Sequence, residues 1–164
     1  MKTKIYRYLD IIVFITATSI SCLLYLLVGK LELPVTIFAG GITLSVSIRQ
    51  NRIENDRMFK ELFLMFNLKY DEKFNNRLIE IERKTDRMHN YILTEDEADL
   101  VIDYLNLCAE EYLWFWKGRI DRKVWNSWEE GMKYYLNIQS IREIVEKEKK
   151  QKNSYYGLFE TLKL

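Results

Sequence analysis

An uncharged stretch of eighteen residues, IIVFITATSISCLLYLLV, constrains most strongly what this chain can fold into. It runs from Ile11 to Val28. As an α-helix it would span roughly 27 Å at about 1.5 Å per residue, close to the ~30 Å hydrocarbon core of a bilayer. A cleaved signal peptide would have an apolar region of about 7–15 residues and a small-residue cleavage site, and this stretch fits neither requirement. The stretch is therefore predicted to be a membrane anchor.

A second uncharged run, LPVTIFAGGITLSVSI, covers residues 33–48, and the short turn before it carries only Lys30 as a basic residue. Basic residues instead flank the two runs on their outer sides: Lys2, Lys4, Arg7, Arg49, Arg52 and Arg57. Basic flanks stay in the cytoplasm, so the pattern favours a two-span helical hairpin, about 11–28 and 33–48, with both termini cytoplasmic. A single span with an interfacial segment and a soluble core are the alternatives.

Small and hydroxylated side chains are frequent in both runs. Such residues allow close helix packing in lipid and form hydrogen bonds between helices. They either pack the two spans against each other or support self-association around a polar lining. The candidates for helix contact or pore lining are Thr16, Ser19, Gly40, Gly41, Thr43 and Ser47.

Residues 49–164 differ sharply from the membrane anchor, residues 1–48, because they are densely charged. The chain has 25 basic and 24 acidic residues, so net charge gives no argument for nucleic acid, and no direct nucleic-acid binding is expected. One proline and few glycines favour helices, and no alternating strand pattern occurs. The fold class predicted is all-α, with a cytoplasmic antiparallel helical bundle after the hairpin.

Apolar residues at helical spacing predict the individual helices. With no helix breaker after Pro34, the second run is expected to continue as one long helix whose apolar side carries Met58, Leu62, Met65, Phe66 and Leu68. A further helix is predicted from Asn75 to Tyr91. Thr94 and Glu97 form a capping box that opens the next helix, which ends near Gly118, and Asp121 caps the one after it. The core stripe expected on the capping-box helix is Leu100, Val101, Tyr104, Leu105, Cys108, Tyr112 and Phe115.

Aromatic residues crowd the two helices around the predicted stop at Gly118. Core packing explains most of them, but Trp and Tyr are also enriched at subunit interfaces. The candidates for an oligomer interface are Trp114, Trp116, Trp125 and Trp128. The two cysteines, Cys22 and Cys108, are predicted to be free thiols, because a disulfide framework would need more of them.

Most signatures of enzymes and metal sites are absent from the sequence. His89 is the only histidine, which excludes a multi-histidine metal site within one chain, and neither a metal nor a cofactor is expected. The acidic pairs Glu110-Glu111 and Glu129-Glu130 are interpreted as solvated helix faces and ion pairs. A non-enzymatic protein is predicted.

Several segments of the charged part carry a resemblance: MFNLKYDEKFNNRL, NLCAEEY, KGRID, WNSW and NSYYG. They resemble small bacterial membrane proteins with one or two N-terminal spans and a cytoplasmic helical bundle, among them membrane accessory proteins of type VI-B CRISPR systems. The resemblance implies a ring-shaped pore in the bacterial inner membrane that depolarises it during phage defence, alongside an RNA-guided ribonuclease. It also implies a divergent HEPN-like motif, with Arg83 and His89 as candidate catalytic residues. Lys84 stands where the stronger form of that motif has a polar residue, so ribonuclease activity is not expected.

The leading hypothesis is thus an integral membrane protein of antiphage defence that forms a homo-oligomeric pore. Its partners would be the lipid membrane, further copies of itself and a CRISPR effector or other defence protein. The alternative is a membrane-tethered helical adaptor that recruits a cytoplasmic partner. A HEPN-like ribonuclease is a further alternative.

Overall fold

Helices account for the regular structure of the computed structural model, which describes residues 7–88, 90–151 and 154–164. The all-α prediction is confirmed for these residues. The α-helices are α1 Leu9–Val28, α2 Glu32–Lys69, α3 Asn76–Arg87, α4 Glu95–Trp116, α5 Arg122–Leu136, α6 Gln139–Glu148 and α7 Leu158–Leu162. A π-helical turn, Tyr70–Asn75, follows α2, and a 3₁₀ turn, Ser154–Gly157, precedes α7.

Helix α1 is the apolar helix that the sequence predicts. It ends at Gly29, whose φ of 68° is left-handed and whose N–H donates to the Tyr25 carbonyl at 2.9 Å. Among the described helices, only Leu9–Val28 is long and apolar enough to cross a membrane, and just 6% of it is buried. The second predicted span lies inside α2, where Pro34, two glycines and several serines and threonines lower the mean hydropathy, and it stays a prediction.

The chain divides into two compact units, the first ending at Arg57 and the second running from Met58 to Leu164. The division falls within α2, whose 38 residues confirm the expectation of one long helix after Pro34. Each unit has its own set of contacts, and the two sets differ in chemistry. The first unit pairs two largely apolar helices, whereas the second encloses an aromatic core.

In the first unit, α1 and the first half of α2 run in opposite directions. Near the connecting turn, the Ser21 hydroxyl donates to the Pro34 carbonyl at 2.7 Å. At the far end, the Ser45 hydroxyl donates to the Asp10 carbonyl at 2.8 Å. The Arg52 guanidinium also binds the Asp10 carboxylate through both its terminal nitrogens, at 3.3 and 3.0 Å. These polar contacts tie the two helices together at both ends.

The core of the second unit forms around α4. Five residues of its predicted stripe, Leu100, Val101, Tyr104, Leu105 and Cys108, are buried, and the other two, Tyr112 and Phe115, are half-buried against the core. Helix α5 adds further core residues and α6 and α7 close the remaining sides with buried apolar side chains, including Met132, Leu136, Ile141, Val145, Leu158 and Leu162. The apolar side expected on α2 is wrong in part, because only Leu62 and Phe66 are buried.

Met65 and Leu68, placed on that apolar side by the sequence analysis, are 48% and 58% exposed. The reason is geometric. The residues that face the core recur every four positions, at Leu62, Phe66 and the half-buried Tyr70, and Met65 and Leu68 lie between them on the solvent side. An apolar residue on a helix is not by itself evidence of burial.

The capping box at the start of α4 is confirmed and is part of a larger polar network. Glu97 receives hydrogen bonds from the Thr94 N–H at 2.9 Å, the Tyr91 hydroxyl at 2.7 Å and the Lys84 ammonium at 3.0 Å. Burial raises the pKa of Glu97, but these donors outweigh it and lower the pKa to about 2. The ionised carboxylate thus links α3 to α4.

We expect Glu97→Gln to lower the free energy of unfolding by about 3 kcal/mol near neutral pH. The folded-state pKa lies below the unfolded value of 4.5, so this stability is present above pH 4.5 and is lost as pH falls towards 2. Chemical denaturation of the full chain in detergent, followed by tryptophan fluorescence, measures the loss. Glu95→Gln is the matched control, because Glu95 is exposed on the same helical turn. Equal stability of the two variants would contradict the prediction.

Candidate functional site

A cavity of about 200 Å³ lies within the second unit, between the end of α2, α4 and α5. Polar groups and aromatic rings both line it. The lining residues are Asn67, Tyr70, Tyr104, Glu111, Ser127, Trp128, Gly131 and Met132. A cavity of roughly this size holds a small organic molecule, since an engineered cavity of about 150 Å³ binds benzene.

The π-helical turn Tyr70–Asn75 forms one wall of the cavity through Tyr70. Buried positions recur every four residues, at Leu62, Phe66, Phe74 and Leu78, with half-buried Tyr70 in the same series. In an α-helix each such step rotates the side chain by roughly 40°, because a turn takes 3.6 residues. The wider i→i+5 turn corrects this drift and keeps the series on one face. Turns of this kind often occur at functional sites.

Glu111 is the ionisable group that distinguishes the cavity. Its side chain is only 7% exposed, and none of the described residues donates a hydrogen bond to its carboxylate. Burial, with a smaller contribution from the negative charge of Glu110, raises the pKa of Glu111 to about 8. The positive charge of Lys69 acts on Glu111 weakly in the opposite direction, and its ammonium pairs with Glu110 at 3.4 Å. The Glu111 carboxyl is therefore mostly protonated at neutral pH.

The groups around Glu111 are also held neutral. Burial raises the pKa of Tyr104 and of Tyr70, and Tyr104 stands with its ring 6.2 Å from the Tyr70 ring. Burial likewise raises the pKa of the Cys108 thiol well above its ordinary value, so Cys108 is not a reactive thiolate. Among the described residues, the cavity is thus lined by hydroxyls, an amide, one carboxyl, aromatic rings and Met132, and by no permanently charged cation.

The burial of Glu111 overturns its interpretation as part of a solvated acidic pair. Glu110 fits that interpretation, because it is exposed and pairs with Lys69, and Glu129 pairs with Lys133 at 2.7 Å. Glu111 follows Cys108 by three residues and precedes Phe115 by four, which places it on the core stripe of α4. This helical spacing could have indicated that Glu111 is buried. Treating Glu110 and Glu111 as one solvated pair missed it.

The residues predicted to line a pore or pack the spans fall on different faces. The Gly41 backbone lies so close to Ala17 that an added Cβ would overlap the Ala17 side chain. Gly40, Thr43 and Ser47 are exposed on another face of α2. Thr16 and Ser19 are exposed on α1, away from α2. The structure therefore brings Gly41 to the helix contact and leaves the other five candidates free of it.

The four tryptophans proposed for an interface also differ. Trp125 is 1% exposed and its ring stacks on Phe115 with centroids 4.7 Å apart, so it belongs to the core of a single chain. Trp128 stacks on Phe63 and lines the cavity. Trp114 is half-buried, and Trp116 is 73% exposed. Of the four, Trp116 is the one that is mostly exposed.

Arg83, the first of the two HEPN-like candidates, is exposed on α3. His89, the second, lies outside the described residues. Lys84 between them forms ion pairs with Glu80 at 2.7 Å and Glu97 at 3.0 Å, which gives it a structural role. Within the described part of the chain, no group of three or more His, Cys, Asp or Glu side chains could hold a metal ion.

Glu111→Gln is expected to remove a pH dependence of folding stability. The folded protein keeps the Glu111 proton up to about pH 8, whereas the unfolded chain loses it above about pH 4.5. The contribution of Glu111 therefore falls as pH rises between these values, by at most about 5 kcal/mol. Denaturant unfolding in detergent at pH 5 and pH 8 should show a smaller difference for Glu111→Gln than for the unmodified protein. Glu110→Gln is the control and should keep the original difference.

Gly41→Ala is expected to destabilise the packing of α1 on α2 by about 1–3 kcal/mol, the usual cost of overpacking. Gly40→Ala is the control, since nothing lies within 4 Å of a Cβ there, and alanine favours the helix. Unfolding in mixed micelles of increasing SDS content, followed by far-UV circular dichroism, compares the two. Adding Ala17→Gly to Gly41→Ala moves the methyl group from one helix to the other and should restore stability. Equal midpoints for the Gly40 and Gly41 variants would refute the close contact.

Comparison of the chain with protein-family models, with curated proteins and with solved structures found no match.

Proposed function

We propose that the chain is an integral protein of the bacterial inner membrane that acts in antiphage defence by forming a homo-oligomeric pore. The observation that carries the membrane part is the apolar surface of α1. The helix has no charged residue from Ile11 onward, and its leucines at positions 23, 26 and 27 are 57%, 79% and 73% exposed. Water disfavours such a surface, and the length of the helix matches a bilayer.

The first half of α2 is proposed to be the second span of a transmembrane hairpin. Support comes from its contacts with α1 and from its own exposed apolar face, formed by Val35, Ile42 and Val46. Hydroxyl groups on both helices donate to carbonyls of the same helix, for example Thr16 to Val13 and Thr43 to Ala39. Such internal hydrogen bonds make hydroxylated residues tolerable at membrane depth.

The self-association part of the proposal is supported by a second exposed face of α2. Thr36, Gly40, Thr43 and Ser47 recur at steps of four, three and four, which places them on one stripe of a helix. The Thr36 and Thr43 hydroxyls are bonded to carbonyls of α2 itself, and the small side chains of the stripe would let a neighbouring copy approach closely. In a ring, the apolar face would meet lipid while the stripe faced other copies or a conduit.

The defence role rests on the sequence resemblance, which also suggests an RNA-guided effector as the partner that controls the pore. The arrangement of basic residues supports cytoplasmic placement of both termini, so the second unit would face such a partner in the cytoplasm. Among the described residues, the balanced charges of that unit support protein partners over nucleic acid.

The first test is the mass of the detergent-solubilised protein by light scattering with correction for detergent. A discrete ring of roughly six or more copies is expected, because fewer helices leave no room for a central conduit. A monomer or dimer would contradict a constitutive pore and would favour the membrane-tethered adaptor.

The second test identifies the pore-lining face by cysteine labelling. In a Cys22→Ala background, a thiol reagent should reduce the current through reconstituted Thr43→Cys channels by more than half, because the modified side chain would occlude the conduit. Cys108 is buried and does not need replacement. Ile42→Cys is the matched control, since it lies at the same depth on the apolar face, about 100° around the helix. Block of the Ile42 variant alone would reverse the proposed orientation.

A further inference from the structure

We propose that the cavity of the second unit binds a small organic cation, a primary ammonium or guanidinium group with a short apolar body, whose charge pairs with Glu111. The proposal does not depend on pore formation, since every lining residue belongs to the second unit.

The first step concerns the missing partner of Glu111. A buried carboxylate is normally paired with a cation or receives several hydrogen bonds, as Glu97 does in the same unit. Glu111 has neither among the described residues, yet it lines an open volume of about 200 Å³. A cation bound in that volume would supply the missing charge and hydrogen-bond donors.

The second step concerns the shape and chemistry of the walls. The rings of Tyr70, Tyr104 and Trp128 line the cavity, and aromatic faces attract ammonium and guanidinium groups. Met132 provides an apolar surface for a short alkyl chain, and Asn67 and Ser127 provide polar atoms. Small-molecule sites commonly combine apolar walls with a few polar groups in this way.

The third step distinguishes an organic cation from a metal ion. Mg²⁺ and Ca²⁺ require several oxygen ligands, usually including more than one carboxylate. The cavity offers only the Glu111 carboxylate, because Glu110 is exposed and bound to Lys69. A monovalent cation with an apolar body fits one carboxylate among rings better than a divalent metal does.

The electrostatic surroundings of Glu111 predict how binding depends on pH. Glu110 of α4 and Lys69 of α2 carry opposite charges nearby and pair with each other. Tyr70, Tyr104 and Cys108 are neutral near pH 7. Glu111 is thus the group that titrates in this range, and it must release its proton when the cation binds.

The experiment is isothermal titration calorimetry on the full chain in a non-ionic detergent, with butylamine as the probe and 1-butanol as its neutral counterpart. Butylamine should bind and 1-butanol should bind far more weakly. Because Glu111 has a pKa of about 8, butylamine should bind about fifty-fold more weakly at pH 6 than at pH 8. Titration at pH 7 in two buffers of different ionisation enthalpy should show release of about one proton.

Glu111→Gln should abolish both butylamine binding and the proton release, whereas Glu110→Gln should keep them. A second variant, Gly131→Leu, tests the cavity itself. Gly131 lines the cavity and nothing lies within 4 Å of a Cβ there, so a leucine at this position is expected to fill part of the open volume and block binding while favouring the helix. Absence of butylamine binding, equal binding of 1-butanol, or unchanged binding by Glu111→Gln would each overturn the proposal.

Discussion

The first unit depends on one constraint: polar groups on largely apolar helices must be satisfied by the helices themselves. The Thr16 and Thr43 hydroxyls donate to carbonyls three and four residues earlier in their own helices. The Asp10 carboxylate, which is buried, is held by the Arg52 guanidinium through two hydrogen bonds. This two-bond ion pair has no net charge, and it fixes the position of α1 relative to α2. Most of the surface that remains on α1 is apolar, including the exposed Leu23, Leu26 and Leu27.

The same constraint separates the faces of α2. One face carries Gly41 and Ser45, where the absence of a side chain and a hydroxyl directed at a carbonyl permit close contact with α1. Another face carries small polar residues that make no contact with α1, including Gly40 and Thr43. The adjacent glycines thus have different surroundings: Gly41 packs against α1, whereas Gly40 contacts no other described helix. In the proposed oligomer, contacts between copies would use this second face, because the first is already packed against α1.

Much of the helical architecture could be predicted from local sequence signals. The capping box of Thr94 and Glu97 and the N-terminal cap of Asp121 act through hydrogen bonds to the next two or three residues, so the sequence contains both partners. The glycine stop is equally local, since Gly118 takes a φ of 70° that other residues adopt at a cost. The core stripe of α4 was also predictable, because helical spacing alone defines it.

The candidate site could not be predicted in the same way, because it depends on which helices meet. The π-helical turn accompanies a series of positions spaced four residues apart, from Leu62 to Leu78, and the drift of that series matters only once its members pack into one core. Trp125 and Trp116 look alike in sequence, yet one is enclosed and the other exposed, since only packing decides the side of the helix that is covered. The sequence could show that Glu111 lies on the core stripe of α4, but no sequence pattern indicates the cavity beside it.

The burial of Glu111 is difficult to explain as a contribution to folding. A protonated carboxyl beside an open volume forgoes the contacts that leucine or methionine would make at the same position, and ionising it costs still more. Glu97 shows that the same unit can bury a carboxylate with three donors around it, so a lack of available donors does not explain the difference. The π-helical turn adds a second departure from regular helix at the wall of the same cavity. The unpaired carboxyl and the π-helical turn both border the same cavity. A ligand bound in that cavity explains them better than packing alone does.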